Sequence, residues 1–252
     1  MKPIEELTKD VLKNIKLIVF DVDGVLVPRG TNIKQSNNIT TLETKHIAPE
    51  QIEQIKKLKE LGFMININSG RGLYMLQEVF RDILPFTSLT YENGSATWHR
   101  GEIIQHVNSF DHLQETFLKL RGIESRHENV KGFEPKELII TIHCTDRVPE
   151  IENIVAENDR LYAIWNGEAY DIGVKGIQNK AVGLSAYRNY LGLAEGEVLA
   201  IGDNLNDKEM IDAAGISVSA DASKVEGDYF VPLDVARLPA ALMMDQIIQE
   251  MS

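Results

Sequence analysis

The run KLIVFDVDGVL, Lys16 to Leu26, decides how this chain is read. A short apolar, β-rich segment passes directly into two aspartates one residue apart and then a glycine. An unbroken apolar run of that length, followed at once by turn residues, predicts a strand buried on both faces of a parallel sheet. Asp21 and Asp23 then emerge at its carboxyl end, where open α/β sheets bind ligands. Taken alone, the pair could equally be turn formers that close a strand.

The flanking sequence repeats the theme. Ala48 to Leu61 carries Ile52, Ile55, Leu58 and Leu61 at helical spacing, with Pro49 in the first turn and Gly62 after the last. FMININ, 63 to 68, predicts a second strand, and GLYMLQEVFRDIL a second helix. This strand, helix, strand, helix order implies βαβ units. Between about Pro85 and Val174 the rhythm changes. Short strand-like pieces (SATWH, GEIIQHV, ELIITIHC, LYAIWNG) alternate with two helix-like ones, FDHLQETFLKLRG and VPEIENIVAENDR. From Lys175 the first rhythm returns, through KAVGLSAYRNYLG, EVLAIGD, NDKEMIDAAG, ISVSA and DYFVP. The expectation is a Rossmann-like α/β parallel-sheet core, residues 1–85 and 175–252, interrupted by an α+β module at 86–174. The polar stretch from Pro28 to His46 predicts a hairpin with its turn at SNN, or else a solvated loop.

Bulk properties narrow the function. The 252 residues are 43% hydrophobic, which suits a packed globular chain. The formal net charge of −12, with no long basic cluster, argues against nucleic acid or anionic membrane as a partner. A single cysteine, Cys144, precludes an intramolecular disulfide and fits a reducing compartment. The six histidines are scattered and form no zinc pattern. The opening MKPIEELTKDVLKN lacks a signal-peptide core, and no apolar run reaches the ~20 residues of a membrane span. A soluble cytoplasmic protein is the expectation.

Four predicted strand ends or helix starts carry the chemistry. They are Asp21 with Asp23, Ser69 with Gly70 and Arg71, Lys180, and Asp203 with Asn206 and Asp207. Four carboxylates brought into one pocket would repel one another unless a hard cation neutralised them, which suggests Mg²⁺. Arg71 is read as structural, pairing with a carboxylate, and Lys175 competes with Lys180 for its place. Asn66 and Asn68 are unusual in a buried strand; hydrogen-bonded structural roles are the first expectation, tuning of the site the second.

In these residues the chain resembles the haloacid dehalogenase superfamily. Its first motif looks like DVDGV at 21–25, its second like NSGR at 68–71, its third like KGIQNKAVGL around Lys180, and its fourth like GDNLND at 202–207. The module falls between the second and third motifs, where the family's C2 caps are inserted, and ENGSATWHRGEII resembles the entry into the Cof-like, C2B-capped branch. The resemblance implies a phosphatase acting through an aspartyl-phosphate. Asp21 would be the nucleophile and Asp23 the general acid and base. Ser69, Gly70, Lys180 and Asn206 would bind phosphate, and Mg²⁺ would be held by Asp21, Asp23 through its carbonyl, Asp203 and Asp207. The expected substrate is a small phosphorylated metabolite of the sugar phosphate or phosphoglycolate class, selected by the cap. His99, Arg100, His143 and Arg147 are candidate contacts on the module. The alternatives are a phosphomannomutase-like phosphomutase, against which NSGR reads as the phosphatase form, and a non-catalytic sugar-phosphate-binding protein, which should have lost Asp21, Asp23, Lys180 or Asp203. The polar hairpin at 29–46, or a face of the module's sheet, offers an interface for a homo-oligomer.

Overall fold

A computed structural model describes every residue except 37–38, 125 and 233–235. In chain order the elements are β1 (Lys2–Pro3), α1 (Lys9–Leu12), β2 (Leu17–Phe20), β3 (Asn32–Ser36), β4 (Ile39–Glu43), α2 (Pro49–Glu60), β5 (Met64–Asn68), α3 (Leu73–Val79), β6 (Thr87–Tyr91), β7 (Ala96–His99) and β8 (Glu102–Gln105). Then follow α4 (Phe110–Arg121), β9 (Val130–Phe133), β10 (Ile140–Cys144), α5 (Pro149–Ala156), β11 (Leu161–Trp165), β12 (Ala169–Val174), α6 (Lys180–Tyr190), β13 (Val198–Gly202), α7 (Lys208–Asp212), β14 (Ile216–Ser219), β15 (Tyr229–Phe230) and α8 (Pro239–Met251). No described helix is long and apolar enough to cross a membrane.

The chain divides into two units. Met1–Gly30, Lys45–His106 and Asn179–Ser252 form the first, and Thr31–Thr44 with Val107–Gln178 the second. The first unit is an α/β Rossmann-like core around a nine-stranded sheet in the order β1-β15-β14-β13-β2-β5-β6-β7-β8. The strands from β1 to β6 run parallel, and β7 and β8 add on antiparallel. β2 lies at its centre between β13 and β5, and all four of its residues are buried, as an apolar run in a doubly covered sheet requires. Strand residues alternate between faces. Leu17 and Val19 join Leu184, Tyr187, Met210 and Ile211 of α6 and α7 in one apolar core, which leaves Ile18 and Phe20 to the opposite face.

The second unit is a four-stranded antiparallel sheet, β11-β12-β10-β9, with α4 and α5. Its core takes Ile140, Ile142 and Cys144 of β10 together with Leu113, Leu120, Ile151 and Val155 of the two helices. The β3–β4 hairpin groups with this unit, and β3 packs on β9. The SNN turn expected there has Asn37 and Asn38 outside the described residues.

The insert's edges differ from those expected at 86 and 174. Residues 86 to 106 stay with the first unit because β6 pairs in parallel with β5, and the β7 and β8 strands then extend the same sheet. The other edge moves to Gln178, whose amide accepts from the Val174 N–H at 2.7 Å and donates to the Leu138 carbonyl at 2.7 Å. His99 and Arg100 therefore belong to the first unit, while His143 and Arg147 lie in the second.

Candidate active site

The carboxyl ends of β2, β5 and β13 and the first residue of α6 bring the charged residues together. After β2 the Asp21 N–H still donates to the Ile201 carbonyl at 3.0 Å, so the aspartate leaves the sheet in register with β13. The chain then reverses, with the N–H groups of Val25, Leu26 and Val27 all donating to the Val22 carbonyl. Gly24 has a φ of +87°, and a Cβ there would overlap the Asp203 carboxylate. Only glycine meets both demands cheaply.

Lys180 is the centre of the cluster. Its Nζ donates to Asp21 Oδ1 at 2.5 Å and to Asp207 Oδ1, and all three side chains are at most 5% exposed. Asn179 caps α6 by accepting from the Val182 N–H at 2.8 Å, which fixes where the helix begins and so where Lys180 points. Asp207 is fixed from its other oxygen: Oδ2 accepts from the N–H groups of Asp203 at 3.2 Å and Asn204 at 3.1 Å, the return half of a capping box. Asp203 pairs with Arg29, whose Nη2 lies 2.7 Å from Oδ1 and 2.5 Å from Oδ2. Asp23 pairs with Arg71 through Nη2 to Oδ1 at 2.7 Å and Nε to Oδ2 at 3.0 Å. Ser69 is buried beside them; its Oγ accepts from the Arg71 N–H at 3.2 Å, and its own N–H donates to the Thr90 carbonyl.

Burial and the neighbouring Asp207 push the Asp21 carboxyl up to about 8, with Asp203 adding to the rise and Lys180 opposing it. Burial also raises Asp203, against the pull of Arg29. Burial alone would lower Lys180, but Asp207 and Asp21 outweigh it and hold the ammonium above its ordinary value. Asp21, Asp23, Asp203 and Asp207 here meet three cations, Lys180, Arg71 and Arg29, which leaves a negative charge over when all are ionised. Asp21, Asp203 and Asp207 each bring an oxygen within 4.8 Å of the others. Three hard oxygen donors with surplus negative charge fit a small divalent cation.

Most of the residues expected from sequence thus converge. Asn206 lies on the 3-10 turn Leu205–Asp207 but is exposed and outside these ion pairs. Lys175 is not part of the cluster; its Nζ donates to the Asp159 carbonyl in the second unit. The strand amides hold the scaffold. Asn66 Nδ2 donates to Ser88 Oγ and Thr90 Oγ1, both at 3.0 Å, and Thr90 continues through Thr97 to His106. Asn68 Nδ2 donates to the Lys180 carbonyl at 2.9 Å, tying the first turn of α6 to β5.

Two features escaped the sequence reading. Arg29 sits in a polar loop where neither spacing nor periodicity singles it out. The second is the turn after β6, in which Glu92, Asn93 and Gly94 all have positive φ. A Cβ on Gly70 would come within 2.8 Å of Asn93 Oδ1, and one on Gly94 would overlap the backbone of α6 at Asn179 and Gly183. This left-handed turn wedges between the Ser69 loop and the start of α6, and strained backbone of that kind collects where side chains must be held in place. Its only signal in the sequence is the ENG triplet.

Comparison with known proteins gives concordant results. The family model described as haloacid dehalogenase-like hydrolase matches residues 18–121 and 124–225. The chain is 25% identical over 244 residues to a 5-amino-6-(5-phospho-D-ribitylamino)uracil phosphatase of Bacillus subtilis, covering 88% of this chain and 92% of that one. It is 27% identical over 239 residues to a phosphoglycolate phosphatase of Aeropyrum pernix, covering 94% and 93%. Among solved structures, a haloalkanoate (HAD) superfamily phosphatase of Bacteroides thetaiotaomicron superposes with a TM-score of 0.63 at 21% identity, covering 93% of this chain and 96% of that one, and so has the same fold.

Proposed function

Because the chain belongs to the haloacid dehalogenase-like hydrolases, in their Cof-like branch, and is a phosphoric monoester hydrolase, we propose that it cleaves a small phosphorylated metabolite through an aspartyl-phosphate on Asp21. The observation that carries this reading is the pairing of a buried Asp21–Lys180–Asp207 cluster with a one-third exposed Asp23 gripped by Arg71.

Asp21 attacks phosphorus and the ester oxygen departs. Lys180 holds Oδ1 and so fixes the plane of the attacking carboxylate. Asp23, protonated, gives its proton to the leaving oxygen. As a carboxylate it then takes one from the water that hydrolyses the aspartyl-phosphate, which regenerates Asp21 and releases inorganic phosphate. Arg71 orients Asp23 for the base half of that exchange by holding both oxygens of its carboxylate, and one of the two bonds gives way while Asp23 carries the proton. Ser69 and Gly70, next to Asp23's partner Arg71, are assigned to the phosphoryl oxygens, together with the Lys180 charge. Asn206, exposed at the turn, is assigned to the outer phosphate oxygens or the ester group. Asp21, Asp203, Asp207 and the Asp23 carbonyl would hold Mg²⁺, which when bound offsets the repulsion between carboxylate and phosphate dianion.

We assign selection of the ester's organic group to the second unit. Phosphate release from a panel of sugar phosphates, phosphoglycolate and other small monoesters, with and without Mg²⁺, tests the whole reading. Asp21→Asn is expected to be inactive and to form no acid-stable phosphoenzyme. Equal turnover by Asp21→Asn and wild type would overturn the nucleophile assignment.

A further inference from the structure

The cations around the cluster differ in how firmly they are seated. The Lys180 side chain is 3% exposed and Arg71 6%, whereas Arg29 is 50% exposed on the loop that follows the DVDG turn. Yet Arg29 Nη2 lies astride the Asp203 carboxylate, close to both oxygens at once. That position engages a lone pair on each of Oδ1 and Oδ2. Asp203 is also one of the three carboxylates whose oxygens gather within 4.8 Å of one another. A cation entering there meets the guanidinium's positive charge, and it needs oxygens that the guanidinium already holds. An arginine that is half in water regains its hydration cheaply when it leaves, and the Asp203 carboxylate, only 8% exposed, is not stranded, because the entering cation replaces the guanidinium as its partner. A lysine buried between two aspartates cannot leave so cheaply.

We propose that Arg29 is a built-in competitor of the divalent cation at Asp203, a guanidinium that keeps the carboxylate aimed inward before the metal binds and leaves it when the metal enters. The proposal rests on the metal reading above and concerns a residue that reading does not use. Cation affinity is then lowered by the fraction of molecules in which Arg29 occupies its carboxylate. The exchange also leaves a free guanidinium at the edge of the DVDG turn once the metal is in place.

The test is calorimetric titration of Mg²⁺ into the chelator-stripped full-length protein at fixed ionic strength, without substrate, together with thermal melts with and without Mg²⁺. Arg29→Gln is expected to bind Mg²⁺ about fivefold tighter than wild type, the scale of one part-exposed ion pair. It should melt lower than wild type in chelator and together with wild type in saturating Mg²⁺. Equal or weaker Mg²⁺ affinity in Arg29→Gln, or the same drop in melting temperature in both conditions, overturns the proposal. Asp203→Asn separates the two readings. If wild type binds Mg²⁺ and Asp203→Asn does not, an unchanged Arg29→Gln sinks the competitor alone. If wild type fails to bind, or Asp203→Asn binds as well as wild type, the metal reading and the proposal fall together.

Discussion

Arg71 holds Asp23 in a two-pronged grip, Nη2 on Oδ1 at 2.7 Å and Nε on Oδ2 at 3.0 Å, with the arginine buried and the aspartate one-third exposed. The pair couples NSGR to DVDGV across adjacent strands β5 and β2. A lysine cannot reproduce the fork. Arg71→Lys is therefore expected to lower kcat by about tenfold or more, part of the 10²–10⁴ that general acid–base catalysis contributes. The loss should be large for alkyl esters, whose leaving oxygen needs a proton, and small for an aryl ester such as p-nitrophenyl phosphate. Equal losses on both substrates would show that Arg71 serves some step other than proton transfer.

Asp21 gives the cation-free protein an inverted pH dependence. Burial and the neighbouring carboxylates move its pKa from 3.8 to about 8. Between those values the folded chain keeps a proton that the unfolded chain has lost. The unfolded state binds fewer protons there, so this group's contribution to stability falls as pH rises from about 4 to about 8, with a slope of at most about 1.4 kcal/mol per pH unit. Urea titrations in chelator are expected to show that slope in wild type and not in Asp21→Asn. Identical pH profiles for the two proteins would count against a raised Asp21.

The two strand amides should differ in what their loss costs. Asn66 is fully buried and donates to both Ser88 and Thr90, so Asn66→Ala leaves two hydroxyls without their donor inside the sheet. A destabilisation of about 2 kcal/mol or more is expected. Asn68 makes one bond, to the Lys180 carbonyl, and its buried Oδ1 has no hydrogen-bond partner. Asn68→Ala removes that orphan with the bond, so its cost should be nearer 1 kcal/mol, while kcat falls because the first turn of α6 loosens. Equilibrium unfolding of both variants checks the order, and the reverse order would contradict it.

How far the sequence discloses this arrangement depends on how local each signal is. β2 and β5 are legible because a fully buried strand is an apolar run, whatever its partners. The helix at 49–60 is legible from its spacing and from Pro49 in its first turn, and that at 180–190 from the return of the helical pattern after the module. Asp21, Asp23, Ser69, Lys180, Asp203 and Asp207 are legible because each follows a strand or opens a helix. The allegiance of β7 and β8 is not legible, because an alternating hairpin reads the same whichever sheet it joins. Nor is Arg29, whose role comes from a partner 174 residues away in the chain. Arg71 is legible only as far as needing a carboxylate; that the carboxylate is Asp23 requires the sheet order.

The sheet order also sets a timetable for the growing chain. β2 is translated near the start, but its neighbour β13 pairs Ile201 with Phe20, so the middle of the first unit's sheet stays open until the chain has passed Gly202. All of the second unit has been made by Gln178. The inserted unit is thus expected to become protease-resistant on the ribosome before the unit that surrounds it in sequence, a reversal of the usual N-terminal-first order. Chains stalled with residues up to about 180 outside the ribosomal tunnel should yield a protected fragment from the second unit and none from β2 or β5. Protection of the β2 region at that length would show that the first unit closes without its central partner.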